Sequence, residues 1–145
     1  MHTEPAELRV KVGGLSGKMR LTGSVRGLHR VSIDYSPPLG EGDGFTSLEL
    51  LMTSLCSCSG QTLLYLLSKE GIRVDNIEIE ATGQRRIDSH PTILTAIDLH
   101  YRFFAKALAK EVVEKAITEA EKKLCPVWAM LRESTKITWN CEIVE

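Results

Sequence analysis

Apolar residues recur along this chain with two periods. They alternate in three short stretches near the N-terminus: ELRVKV (7–12), KMRLTG (18–23) and HRVSIDY (29–35). Period two predicts strands with one wet face. Gly13, Gly14 and Gly17 punctuate the first turn, and Gly23 and Gly27 the next. SPPLGEGDGF (36–45) is rich in Pro and Gly and predicts a loop, long enough to carry function or to move. The pattern then changes. Residues 47–69 are apolar on nearly every side, with Leu48, Leu51, Leu55, Leu63 and Leu66 on one flank and Leu50 and Leu64 on another. This predicts a long helix, capped by Thr46 or Ser47, with Glu49 in its first turn and Gly71 as its stop. A helix without a polar face is buried on all sides. Two such helices meeting in a homodimer would bury it more fully than one chain can.

Alternation returns in NIEIEATGQRR (76–86) and ILTAIDLHYRFF (93–104). Ile77, Ile79 and Ala81 share one face of the first, and Ile97, Leu99, Tyr101 and Phe103 one face of the second; the DSHPT connector makes them a hairpin. ALAKEVVEKAITEAEKKL (107–124) carries Ala109, Val112, Val113, Ala116, Ile117, Ala120 and Leu124 as one stripe at helical spacing. CPVWAML (125–131) breaks and restarts the helix, and KITWNCEIV (136–144) closes the chain as a strand. The order β-β-β-α-β-β-α-β predicts an antiparallel α+β fold with two main helices, as one domain over 1–145.

Charge narrows the function classes. Lys and Arg number 18 against 19 for Asp and Glu, and no run of either stands out. That balance makes no case for a nucleic acid or an anionic membrane as partner. The start, MHTEPAELRV, lacks the charged and apolar blocks of a signal peptide, and no segment has 18 or so uninterrupted apolar residues. The expectation is a cytoplasmic protein, where thiols stay reduced. Its four cysteines are then core residues, metal ligands or chemistry.

At about 100° per residue, Cys56 and Cys58 point roughly 200° apart on a helix and cannot act as a pair. Cys58 shares a narrow polar stripe with Ser47, Ser54, Gln61 and Tyr65, whose donors could steady a thiolate. Cys56 lies in an apolar sector with Met52, Leu63 and Leu67 and reads as core filler. Cys125 precedes Pro126, the natural first residue of a short helix. A thiol capping a helix N-terminus is expected to have a lowered pKa. Cys141 alternates with Trp139 and Ile143 and reads as core. His2, His29, His90 and His100 sit at solvated positions, and a zinc site built from Cys58, Cys125 and a histidine has no recognisable ligand spacing.

The stretch TSLELLMTSLCSCSGQTLLYLL resembles the central-helix motif of the osmotically inducible protein C and organic hydroperoxide resistance superfamily. In register, Glu49 and Leu55 lead to the reactive position at Cys58, not Cys56. GLHRVSIDY and GEGDGFTSLELL resemble the strand and loop before that helix. AITEAEKKLCPVWAML resembles the second motif, whose Cys falls on Cys125, and ITWNCEIVE resembles the closing strand. The texture is closest to the redox-protein branch. The resemblance implies an intertwined homodimer with a buried central helix. It also implies a thiol peroxidase that reduces organic hydroperoxides through a Cys58 sulfenic acid and a Cys58–Cys125 disulfide, recycled by a thiol or dithiol, with no metal or bound cofactor. In the best-characterised branch an Asn-Pro-Glu at the head of the helix supplies a Glu that pairs with an activating Arg. Here Thr46, Ser47 and Leu48 stand there, with Glu49 just after, so Glu49, Arg26 and Gln61 are the candidate supporting residues. The alternative is a non-enzymatic dimer of the same fold that binds an apolar small molecule, with inert thiols.

Overall fold

A computed structural model describes residues 5–15 and 17–145; His2 lies outside the described residues. The chain divides into two compact units, one ending at Leu50 and one spanning Leu51–Glu145.

The N-terminal unit is an antiparallel meander of β1 (Lys11–Gly14), β2 (Leu21–Val25) and β3 (His29–Ile33). Its first hairpin departs from the sequence reading. Gly13 and Gly14 are not turn residues but the last two of β1, paired with Thr22 and Leu21. A Cβ on Gly14 would stand 2.5 Å from the end of the Leu21 side chain and 3.0 Å from Arg20 O, so a larger residue there would make Leu21 shift. Gly23, also read as a turn, is the buried centre of β2. The second turn is as expected: Arg26 and Gly27 have φ of 53° and 69°, and the Leu28 N–H donates to Val25 O at 3.2 Å.

The loop after β3 is pinned rather than loose. Asp34 is buried, and its carboxylate accepts the N–H groups of Tyr35 (2.8 Å), Glu41 (3.1 Å) and Asp43 (3.2 Å). Burial pushes this carboxyl up, but the three N–H bonds together outweigh it and hold it below the usual range. Gly40 is needed at the bottom of this knot, since a Cβ would meet Tyr35 O at 2.2 Å and Asp34 Oδ1 at 2.3 Å.

Helix α1 (Ser47–Lys69) begins in the first unit and runs on into the second. Thr46 and Glu49 form a reciprocal capping box: the Thr46 N–H donates to Glu49 Oε1 at 2.8 Å, and the Glu49 N–H to Thr46 Oγ1 at 3.2 Å. Gly71, at φ 72°, ends the helix. The Ile72 N–H reaches Leu67 O and the Gly71 N–H reaches Ser68 O, the paired bonds of a Schellman stop. With a mean hydropathy of 1.4, α1 is long and apolar enough by length and composition to cross a membrane. Its leucines instead enter a protein core. Leu55, Leu63 and Leu67 are buried, while Leu51, Leu64 and Tyr65 are exposed. The expectation of burial on every side therefore does not hold within one chain, because the chain has protein to offer only one face.

The C-terminal unit holds the second sheet, β4 (Asn76–Arg85), β5 (Leu94–Phe104) and β6 (Lys136–Val144), in the order β4-β5-β6. β4 and β5 form the predicted hairpin. β6 lies parallel to β5, where an antiparallel partner was expected, because two helical segments carry the chain back to the starting end. Ile97, Leu99, Tyr101 and Phe103 fill the covered face with Leu55, Leu63, Val113, Ile117 and Trp128. Gly60 lets α1 close on β4, since a Cβ would stand 2.7 Å from Ile79 Cδ1. On the open face, Arg102 bridges Glu142 (2.8 Å) and Glu78 (3.1 Å).

Helix α2 (Lys110–Glu119) shows the expected stripe. It then widens into a π turn, Ala120–Leu124, before α3 (Pro126–Leu131). A continuous helix to residue 124 was expected; hydropathy spacing cannot register one wide turn.

Candidate functional site

Two thiols meet in the C-terminal unit. Cys58 comes from the middle of α1, where neighbouring turns are braced by side chains. Ser59 Oγ donates to Cys56 O at 3.2 Å, and Thr62 Oγ1 to Cys58 O at 2.9 Å. Cys125 comes from the opposite arm. The π turn ends on it, with its N–H donating to Ala120 O at 2.9 Å. Pro126 follows as the first residue of α3, and Cys125 takes the extended conformation that a residue before proline prefers (φ −81°, ψ 108°). Arg132 hydrogen-bonds Glu121 O and ties the π turn to the end of α3. Such turns recur at functional sites.

The result is one close contact. The Cys125 thiol donates to Cys58 Sγ across 3.1 Å, about 1 Å longer than a disulfide. All four cysteines are free thiols. Cys58 is half-buried, whereas Cys125 is 1% exposed.

Cys125 caps α3 as predicted, but its expected acidity is reversed. Burial pushes the thiol up, and the hydrogen bond to Cys58 adds to this. The Trp128 and Val127 N–H groups at the head of α3 pull the other way, without a capping hydrogen bond from the side chain. Desolvation wins, and the pKa is pushed up to about 12. The helix N-terminus was legible in the sequence; the core that closes over it was not. Cys125 thus stays protonated and acts as donor, leaving Cys58 as the accepting sulfur.

Cys141 is buried on β6 as alternation predicts, whereas Cys56, expected in the core, is half-buried. Burial raises both thiols. Gln61 is exposed, one turn beyond Cys58 on α1. Arg26 and Glu49 belong to the N-terminal unit. Arg26 is exposed in the β2–β3 turn, and Glu49 serves the capping box, where the Thr46 N–H and hydroxyl hold its carboxyl low. His29 and His90 are exposed, and His100 bonds Asn140 and Glu142 on the open face of β5. Among the described residues no group of three His, Cys, Asp or Glu side chains is arranged to hold a metal.

Sequence reading missed one pair. The Tyr101 hydroxyl donates to Ser59 Oγ at 3.0 Å inside the core. The signal was available: a tyrosine at a core position needs a partner for its O–H.

Comparison with known proteins agrees with this architecture. Residues 40–140 match the family model described as OsmC-like protein. Protein YhfA of Escherichia coli K12 is 27% identical over 138 residues, covering 94% of this chain and 98% of that protein. A crystal structure of a protein from Aquifex aeolicus VF5 is 29% identical and superposes with a TM-score of 0.79, covering 97% of this chain and all of that one. The organic hydroperoxide resistance protein OhrB of Bacillus subtilis, at 18% identity, shares the fold with a TM-score of 0.65 over 94% of this chain and 98% of its own. The chain belongs to the OsmC-like protein family.

Proposed function

We propose that this chain is a thiol peroxidase for organic hydroperoxides. The observation that carries the reading is the 3.1 Å approach of the half-buried Cys58 sulfur to the buried Cys125 thiol. The two thiols then have different tasks. The Cys58 thiolate attacks the distal peroxide oxygen, the O–O bond breaks, and the alkoxide leaves as alcohol after taking a proton. Cys58 becomes a sulfenic acid. The Cys125 sulfur attacks Cys58 Sγ, hydroxide leaves and takes the thiol proton as water, and a disulfide forms. Two electrons have moved from the thiol pair to the peroxide. Two external thiols, or one dithiol, return them by exchange. The cycle suits a reducing compartment such as the cytoplasm, where the pair is restored between turnovers.

A homodimer is part of the same proposal. Leu51, Leu64 and Tyr65 of α1 are 37–39% exposed, apolar surface on two flanks of the helix that a second copy would cover. A second reading, binding of an apolar small molecule with inert thiols, draws on an open groove of about 300 Å³ in the N-terminal unit, lined by Val10, Val12, Val31 and Ile33 among others.

One experiment separates the two. The reduced protein receives one equivalent of cumene hydroperoxide and is followed by mass spectrometry. Rapid loss of two hydrogens, mapped to a Cys58–Cys125 bond, is expected. Slow or scattered oxidation, with Cys58 no more reactive than a free thiol, would leave the binding reading in its place.

A further inference from the structure

The turn of α1 that carries Cys58 is tied to the sheet by Tyr101. Tyr101 lies in the middle of β5, paired with Ile79 of β4 on one side and Cys141 of β6 on the other. A central strand is the stiffest part of such a unit. The ring stacks against Phe103, with centroids 6.3 Å apart, and is fully buried. Its hydroxyl donates to Ser59 Oγ, which is also fully buried and donates in turn to Cys56 O. The Ser59–Cys56 bond spans the turn of α1 that carries Cys58, and the Tyr101 hydroxyl ties that turn to the sheet. Cys125 is fixed independently, by the π turn and the bond from Arg132 to Glu121 O.

We propose that Tyr101 is a positioning residue for closure of the Cys58–Cys125 disulfide, its hydroxyl acting through Ser59 to hold the Cys58 turn of α1 in reach of the buried thiol. This rests on the two thiols being a working pair, but not on a peroxide being their oxidant. Burial pushes the Tyr101 phenol up, the bond to Ser59 opposes this, and Cys56, Cys125 and Glu121 each push it further, so the hydroxyl stays a donor throughout the neutral range. Tyr101 therefore orients and does not shuttle a proton.

The test is Tyr101→Phe, which keeps the ring and removes the tie. The readout is the effective molarity of Cys125 toward Cys58, obtained by equilibrating the protein in mixtures of reduced and oxidised glutathione. Small displacements of reacting groups are costly, so a drop of about tenfold or more is expected in a variant that still unfolds cooperatively. The drop should be the same from about pH 6 to about pH 9, since the phenol does not titrate there. The rate at which cumene hydroperoxide oxidises Cys58, measured in a Cys125→Ser background, should change less than about twofold, because that step needs no partner thiol. Ser59→Ala should reproduce the drop, and the double variant should be no worse than the worse single, as two links of one chain require. Ser59→Ala also carries the test if Tyr101→Phe does not fold. An unchanged effective molarity, or single effects that add, overturns the proposal. If glutathione closes the disulfide normally in the unmodified protein while the hydroperoxide does not, the peroxidase reading fails and the positioning role stands.

Discussion

The chemistry of Cys125 is set by one neighbour in sequence and another in space. Its place as the cap of α3 follows from the proline beside it, a neighbour in sequence. Its ionisation follows from the core above it and from Cys58, 67 positions away, which no local rule reaches. The same limit hid the partner in the Tyr101–Ser59 bond: alternation placed Tyr101 on the core face, but no local rule named Ser59. Cys141 was legible because alternation alone decides which side of a strand it takes. On the proposed cycle, the asymmetry of the two thiols leads to two expectations. Cys58→Ser should abolish hydroperoxide turnover, while Cys125→Ser should leave a Cys58 sulfenic acid that dimedone traps in near-stoichiometric yield. Iodoacetamide should label Cys58 in the folded protein and spare Cys125 well above neutrality, since a thiol pushed up to about 12 carries little thiolate there. Labelling of Cys125 first, tracked by peptide mapping, would contradict this division of roles.

The elements were most legible where their ends are set by local chemistry. The bounds of α1 follow from the Thr46–Glu49 capping box and the Gly71 stop, both written within a few residues. Thr46→Ala should cost about 0.5–2 kcal/mol in urea unfolding, the range for loss of a side-chain cap. Elements were less legible where tertiary packing overrides a local signal. Gly13 and Gly14 look like a turn but serve a strand, paired with Thr22 and Leu21. The π turn at Ala120–Leu124 uses residues with ordinary helical preferences and ends on Cys125, just before Pro126, so no local signal marks it. The knot around Asp34 is similar, since its carboxylate bonds reach as far as Asp43. Gly40→Ala should loosen this loop, seen as faster proteolysis between Tyr35 and Phe45 and a lowered melting temperature, because backbone must move to admit the methyl group.

At the scale of the whole molecule, burial and pairing set a pH window. The Asp34, Glu49 and Glu142 carboxyls are held below their usual values: by three N–H groups that outweigh burial in Asp34, by Thr46 in Glu49, and by His100 and then Arg102 in Glu142. Groups of this kind stabilise the fold above the unfolded carboxyl range, about pH 4, and lose that contribution as pH falls through their lowered values. His100 is raised, first by Asn140 and then by Glu142, so its contribution is present below about pH 6.5 and fades as pH rises through the folded value. The thiols of Cys125, Cys56 and Cys141 are raised by burial, so stability falls once unfolded thiols ionise, above about pH 8.5, and continues to fall toward the Cys125 value of about 12. Urea midpoints across pH should fall at the acid end, decline slightly as His100 loses its proton, and fall again at the alkaline end; an alkaline fall absent from the wild type, or undiminished in Cys125→Ser, would refute the thiol assignment. The α+β order was legible because each element announces itself locally. The parallel placing of β6 was not, because it depends on where two helices set the chain down.

The separation of the paired thiols along the chain has a consequence of its own. A bond between Cys58 and Cys125 would join residues 67 positions apart and enclose β4, β5 and α2. Closing a loop of that length removes enough freedom from the unfolded chain to add about 4 kcal/mol in the chain-entropy picture. A molecule that has just spent its electrons would therefore be harder to unfold, and harder to degrade, than one ready to act. In a cell short of reductant, the spent form would outlive the ready one, and the protein's own lifetime would record the oxidative load it had met.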